Sequence, residues 1–163
     1  MHPNELLIEK FYSSFQKGDY VGMLECYHPN VQFSDPVFQT LSAAQAQAMW
    51  EMLVTRGKDL TLSYKVIQAD DESGHGYWEA SYTFSRTGRK VLNKVNSSFR
   101  FKDGKIIEHH DTFDIWKWAG MALGPSGRLM GWSPPVKKAI RKQALAGLDE
   151  FMVKQSANKS AAK

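Results

Sequence analysis

Residues 89–115, RKVLNKVNSSFRFKDGKIIEHHDTFDI, decide the fold. Val91, Val95, Phe99 and Phe101 fall on one side of an alternating run. Asp103-Gly104 supplies a tight turn, and Ile107, Phe113 and Ile115 carry the same rhythm onward. A period of two with a turn dipeptide in the middle predicts an antiparallel hairpin with one apolar face. The pattern starts at residue 60: Leu60, Leu62, Tyr64 and Val66 form one run and Trp78, Ala80, Tyr82 and Phe84 the next. Turn signals at Asp70–Gly76 and Thr87-Gly88 separate the runs, so four strands are expected.

Ahead of the strands the period is helical. Leu7, Ile8, Phe11 and Phe15 make a stripe behind a possible cap at Asn4, and Gly18 closes that helix. A shorter helix is expected from Asp19 to about Tyr27. Val31, Phe33 and Asp35 then form a short strand stopped by Pro36. Ser42 can cap a third helix bearing Ala46, Met49, Trp50 and Leu53. Helices followed by strands predict an α+β fold: a cone-shaped, curved antiparallel sheet wrapped around three N-terminal helices. This unit is expected over residues 1–116. A Gly/Trp-rich connector over 117–133, an amphipathic C-terminal helix over 134–155 and a frayed tail over 156–163 complete the chain.

The chain has 163 residues, one domain's length, and 12% are aromatic. Its net charge of +4 is concentrated at one end, because residues 134–163 hold seven Lys/Arg against two Asp/Glu. The cone carries no polyanion-binding surplus, so no nucleic acid partner is expected. The cationic helix reads as a solvated face whose apolar edge docks on the cone, in preference to a membrane element. No run approaches the roughly 18 apolar residues of a membrane span, and a single cysteine, Cys26, excludes a disulfide framework. A cytoplasmic location is the resulting expectation. Glycines 120, 124, 127 and 131 lack a phosphate-loop pattern.

Polar residues in phase with the apolar faces carry the functional signal, since burying them costs free energy unless they are paired. Asp35 shares the side of Val31 and Phe33, Asn93 and Ser97 that of Val95 and Phe99, and His109 and Asp111 that of Ile107 and Phe113. A carboxylate in an apolar interior has its pKa raised and becomes a proton carrier near neutral pH. Asp35 before Pro36 also suits a turn, and His109 with Asp111 also suits a satisfied core pair. Alternation sends His110 and Asp114 to the other face, so no third ligand joins His109 and Asp111, and no metal is expected.

The strings KFYSSFQKGDYVGMLECYHPNVQFSDPVF, GRKVLNKVNSSFRF and DGKIIEHHDTFD resemble the nuclear transport factor 2-like superfamily, in its SnoaL-like and ketosteroid isomerase branches, over roughly residues 4–116. The resemblance implies the cone fold. It places Asp35 at the general-base position of ketosteroid isomerases. The oxyanion-donor tyrosine falls on Phe11, with Tyr12 read on a different face, and the donor aspartate falls on Ser97, so steroid isomerisation is not implied. The SnoaL-like pattern Glu-His-Trp-Asp matches Glu108-His109-His110-Asp111 except at its third position, which implies Asp111 as acid/base. The combined expectation is a cofactor-free isomerase, cyclase or lyase acting on a small apolar carbonyl compound. Asp111, His109 and Asp35 would be catalytic. Asn93, Ser97, Trp50, Tyr64, Trp78, Tyr82, Phe99 and Phe113 would contact substrate, and the outward sheet face would pair two copies. The alternative is a non-catalytic binder of a hydrophobic ligand or protein partner.

Overall fold

The computed structural model describes residues 1–162. Helix α1 (Pro3–Gln16) and α2 (Tyr20–Leu24) precede strands β1 (Tyr27–Asp35) and β2 (Gln39–Leu41) and helix α3 (Ala43–Arg56). Strands β3 (Thr61–Ala69), β4 (Ser73–Phe84), β5 (Arg89–Lys102) and β6 (Lys105–Thr112) follow, then α4 (Ile115–Leu123), α5 (Pro125–Met130) and α6 (Pro134–Ala161). The strands form one open sheet in the order β2-β1-β6-β5-β4-β3, against which α1 and α3 pack their apolar stripes. The α+β cone is therefore present, with the long helix appended.

Local chemistry explains where the elements depart from the sequence reading. The cap of α1 is His2, not Asn4: His2 Nδ1 accepts from the Asn4 amide at 3.1 Å, and the Glu5 carboxylate returns to the His2 amide at 3.0 Å. Asn4 instead donates its side chain to the Asp70 carbonyl at 2.8 Å. Helix α2 stops short of Tyr27 because the Cys26 carbonyl accepts from the Ile106 amide and draws the chain into the sheet. β4 begins at Ser73, before the end of the expected turn. Gly74 and Gly76 lie within it as close-approach positions, where a Cβ at Gly76 would lie 2.5 Å from Tyr12 Oη.

The sheet is antiparallel at every junction except β1–β6, which is parallel. Between Arg100↔Glu108 and Phe101↔Ile106 the register shifts and Ile107 is left over as a bulge. Ile106 is consequently the fully buried residue, in place of the expected Ile107, while His109 and Asp111 keep their inward phase.

The connector expected over 117–133 is helical. Asp114 Oδ1 caps α4 by accepting from the Trp116 and Lys117 amides, and Ile115, Trp118, Ala119 and Ala122 form its buried stripe. Gly124, at φ 78°, breaks α4 from α5. The tail is not frayed at 156, because a helix already propagated over six turns extends cheaply through Ala157 and Ala161. Helix α6 buries Ile140 and Leu148. It is tied at several points: Arg141 Nε donates to the Pro36 carbonyl at 3.0 Å, Arg86 to Gln143, Gln155 to Glu51, and the Arg56 guanidinium sits 5.3 Å over the Phe151 ring. It thus lies over the end of the cone at which β1 and β6 finish.

Candidate active site

The register places the inward polar residues side by side. Ser34 faces His110 on the parallel β1–β6 pair, so Asp35 and Asp111 are the next neighbours along, and Asp111 in turn faces Ser97 on β5. Ser97 faces Gly76 on β4, and the space left by that glycine is occupied by the Tyr12 hydroxyl. A polar row therefore crosses the sheet from Asp35 through Asp111 and Ser97 to a phenol supplied by α1.

Each carboxylate is held by one oxygen. Asp35 Oδ1 accepts from the Val37 and Phe38 amides at 2.9 and 2.6 Å, and Asp111 Oδ1 accepts from Ser97 Oγ and from His109 Nε2, the latter at 2.8 Å. Both Oδ2 atoms lack a hydrogen-bond partner among the described residues. Asp35 is thus the turn residue that its Pro36 neighbour suggested, and it also carries a perturbed carboxyl. Burial raises its pKa from the ordinary 3.8 to about 7, and the nearby Asp111 charge adds to this against the two amides, which lower it. Tyr12 Oη is the one buried side-chain polar atom without a partner among the described residues. Burial first, and then the Asp111 charge, keep the phenol protonated far above neutral pH, against the neighbouring Ser97 hydroxyl, which pulls the other way.

His109 stands behind Asp111 in an aromatic box. Phe11, Tyr27, Phe33, Trp50 and Phe99 surround its ring at centroid separations of 4.5 to 6.0 Å. Its Nδ1 meets Tyr27 Oη at 2.7 Å, and Tyr27 Oη accepts from Trp50 Nε1 at 2.8 Å. The donor count assigns the roles: Tyr27 donates to Nδ1, leaving the proton on Nε2 to address Asp111. At the other end Trp78 Nε1 donates to Ser97 Oγ at 3.1 Å, and Ser97 donates onward. The chain Trp78–Ser97–Asp111–His109–Tyr27–Trp50 is therefore continuous through Asp111 Oδ1, which fixes the carboxylate in one orientation and leaves Oδ2 free.

Several residues expected to touch substrate serve elsewhere. Trp50 and Phe99 are sealed around His109, Trp78 holds Ser97, and Tyr64 donates to Glu9 at 2.5 Å while stacking on Tyr12. Tyr82 accepts from Trp118 Nε1 at 2.8 Å and feels the Asp35 charge, so α4 reaches the Asp35 end of the row. Phe113 is half-buried just past β6, and Asn93 lies near α4. The reading of Tyr12 on a separate face is corrected by the structure: Ile8, Phe11, Tyr12 and Phe15 are all buried, and Tyr12 follows Ile8 by one helical turn. That i, i+4 spacing, read with the side-chain-free Gly76 opposite, was the available signal. Tyr27 and Trp118 were also missed. Among the described residues no three His, Cys, Asp or Glu side chains converge as metal ligands.

An open α+β cone with paired inward carboxylates defines the class. The SnoaL-like domain model matches residues 8–109, more than half of the sequence, and the chain belongs to that family. No curated protein matches the chain. Among solved structures, a proposed SnoaL-like polyketide cyclase from Jannaschia sp. CCS1 superposes with a TM-score of 0.65 at 13% identity, covering 76% of this chain and 93% of that one. IdmH, a proposed polyketide cyclase from Streptomyces antibioticus, gives 0.60 at 20% identity, with 74% and 98% covered. An LEH-like epoxide hydrolase from M. tuberculosis gives 0.58 at 15% identity, with 79% and 96% covered. Helices α4 to α6 lie beyond the residues that the family model matches.

Proposed function

We propose that the chain is an acid/base enzyme that abstracts a proton next to a carbonyl group in a small apolar molecule, as in an isomerisation or an aldol-type cyclisation. The observation that carries this reading is the inward row of two adjacent carboxyl groups, each clamped through Oδ1 and each free at Oδ2, beside an unpartnered buried phenol. Asp111 acts as base through Oδ2. Ser97 and His109 hold it in place, and His109, with both nitrogens engaged, is a positioning residue. Asp35, protonated up to about pH 7, donates a hydrogen bond to the enolate oxygen as charge develops on it, while the Tyr12 phenol, beyond Ser97 at the other end of the row, lines the Asp111 side. A donor kept neutral by burial suits this role, because it stabilises the anion without first repelling the base. The fold is shared with proposed polyketide cyclases, which supports a carbonyl substrate.

The test needs no knowledge of the product. Incubation with a panel of apolar ketones in D2O, followed by NMR, should show deuterium entering the carbon next to the carbonyl, and Asp111→Asn should abolish the exchange while the thermal transition persists. Exchange that survives Asp111→Asn would overturn the assignment. A second reading, a non-catalytic hydrophobic binder, is favoured by the near-complete burial of Asp111, which is 2% exposed. It predicts ligand binding with no exchange in either protein.

A further inference from the structure

We propose that the groove between α4 and the free edge of β5 binds an anionic amphiphile, a soluble molecule with an apolar chain or ring and a terminal carboxylate. This site is separate from the carboxylate row. Strand pairing between β5 and β6 ends at Asn96↔Thr112, so the part of β5 from Arg89 to Val95 has no strand neighbour on that side, and α4 runs along it instead. The two elements leave a groove of about 760 Å3, within the size range of small-molecule sites.

Its lining combines two chemistries. Leu92, Trp116 and Met121 supply an apolar surface, with Leu92 45% and Trp116 48% exposed. Lys94, Lys117 and Arg128 surround that surface, and none of them is ion-paired among the described residues. The one carboxylate in the lining, Asp114, spends Oδ1 on capping α4. Trp116 is fixed as a wall because its Nε1 donates to the Arg128 carbonyl at 2.9 Å. Apolar surface beside three cations that no carboxylate pairs fits a ligand that is apolar along its length and negative at one end. A neutral ligand would cover the apolar surface and leave the cations without partners.

Titration of the full chain with dodecanoate at low ionic strength, below its micelle concentration, tests the site by calorimetry and tryptophan fluorescence. Saturable one-to-one binding is expected, weakened at least tenfold in the double variant Lys117→Glu/Arg128→Glu, at least fivefold in Leu92→Asp, and unchanged in Asp111→Asn. 1-Dodecanol should bind at least tenfold more weakly. Unchanged affinity in folded Lys117→Glu/Arg128→Glu, equal binding of the alcohol, or loss of binding in Asp111→Asn would each overturn the proposal. So would partition onto phosphatidylglycerol vesicles without saturable dodecanoate binding. Retained dodecanoate binding in Asp111→Asn, with deuterium exchange lost, separates this site from the proposed active site.

Discussion

His109 and His110 are adjacent in one strand, and each sets its Nδ1 against a hydroxyl: Tyr27 for the first, Ser34 for the second. The pleat sends them to opposite faces. His109 is boxed by five aromatic rings and aims its other nitrogen at Asp111. His110 lies exposed over the outer face, in the row Ser34–His110–Ser98. The same ring and the same kind of bond thus do different work, because water competes for every polar group outside and for almost none inside. Surroundings, more than residue type, separate a site from a surface.

The comparison can be attacked from its strongest point downward. Asp111→Asn should lower the rate of exchange by about a thousandfold, the range of a lost positioned base, as read by NMR. His109→Ala should cost about 3 kcal/mol in urea unfolding, since it leaves a cavity and strips a donor from Asp111. His110→Ala should change stability by no more than about 0.5 kcal/mol, as surface substitutions do. Equal losses for the two histidines would erase the distinction between the faces.

Asp35→Asn tests the ionisation. With its folded pKa raised from 3.8 to about 7, the native state holds a proton that the unfolded chain releases. Stability therefore falls as pH rises from about 4 to 7, and is lowest above that window. Asn retains the acceptor for the Val37 and Phe38 amides without the charge. The variant should be more stable than wild type by about 4 kcal/mol at pH 8, with the gain vanishing near pH 4, measured by thermal unfolding at both values. The exchange rate of the wild type should fall with an apparent pKa near 7, and that limb should disappear in Asp35→Asn. The smallest effect on exchange belongs to Tyr12→Phe, which should slow it by no more than about threefold, because the phenol lies beyond Ser97 from the base, and should leave stability unchanged or raised by up to about 1 kcal/mol, because an unpartnered buried hydroxyl is removed.

The two faces also explain what could be read from the sequence. Period two does not depend on tertiary packing, so β1, the four strands β3 to β6, the turns at Thr87-Gly88 and Asp103-Gly104 and the inward phase of Asp35, Asn93, Ser97, His109 and Asp111 were legible. The bulge at Ile107 was not, since two consecutive isoleucines fit either register. Neither was the parallel β1–β6 junction, which no turn announces. Tyr12 was hidden because a helix stripe read from its most apolar members leaves out a phenol, and its destination depends on a glycine 64 positions away. Helices α4 and α5 were obscured by the glycines that separate them.

The parallel junction has a consequence for how the protein reaches its working state. Asp35 and Asp111 come from strands that chain connectivity holds 76 residues apart, as the hydrogen-bonded neighbours Ser34 and His110 also are. Contacts of such long separation carry a large loop-closure cost. The β3–β6 meander can assemble through local hairpins, whereas the carboxylate pair exists only once the first strand docks on the last. The raised ionisation of Asp35 is therefore a marker of completed folding: a chain with its hairpins formed and β1 still detached would titrate at that carboxyl like an ordinary aspartate.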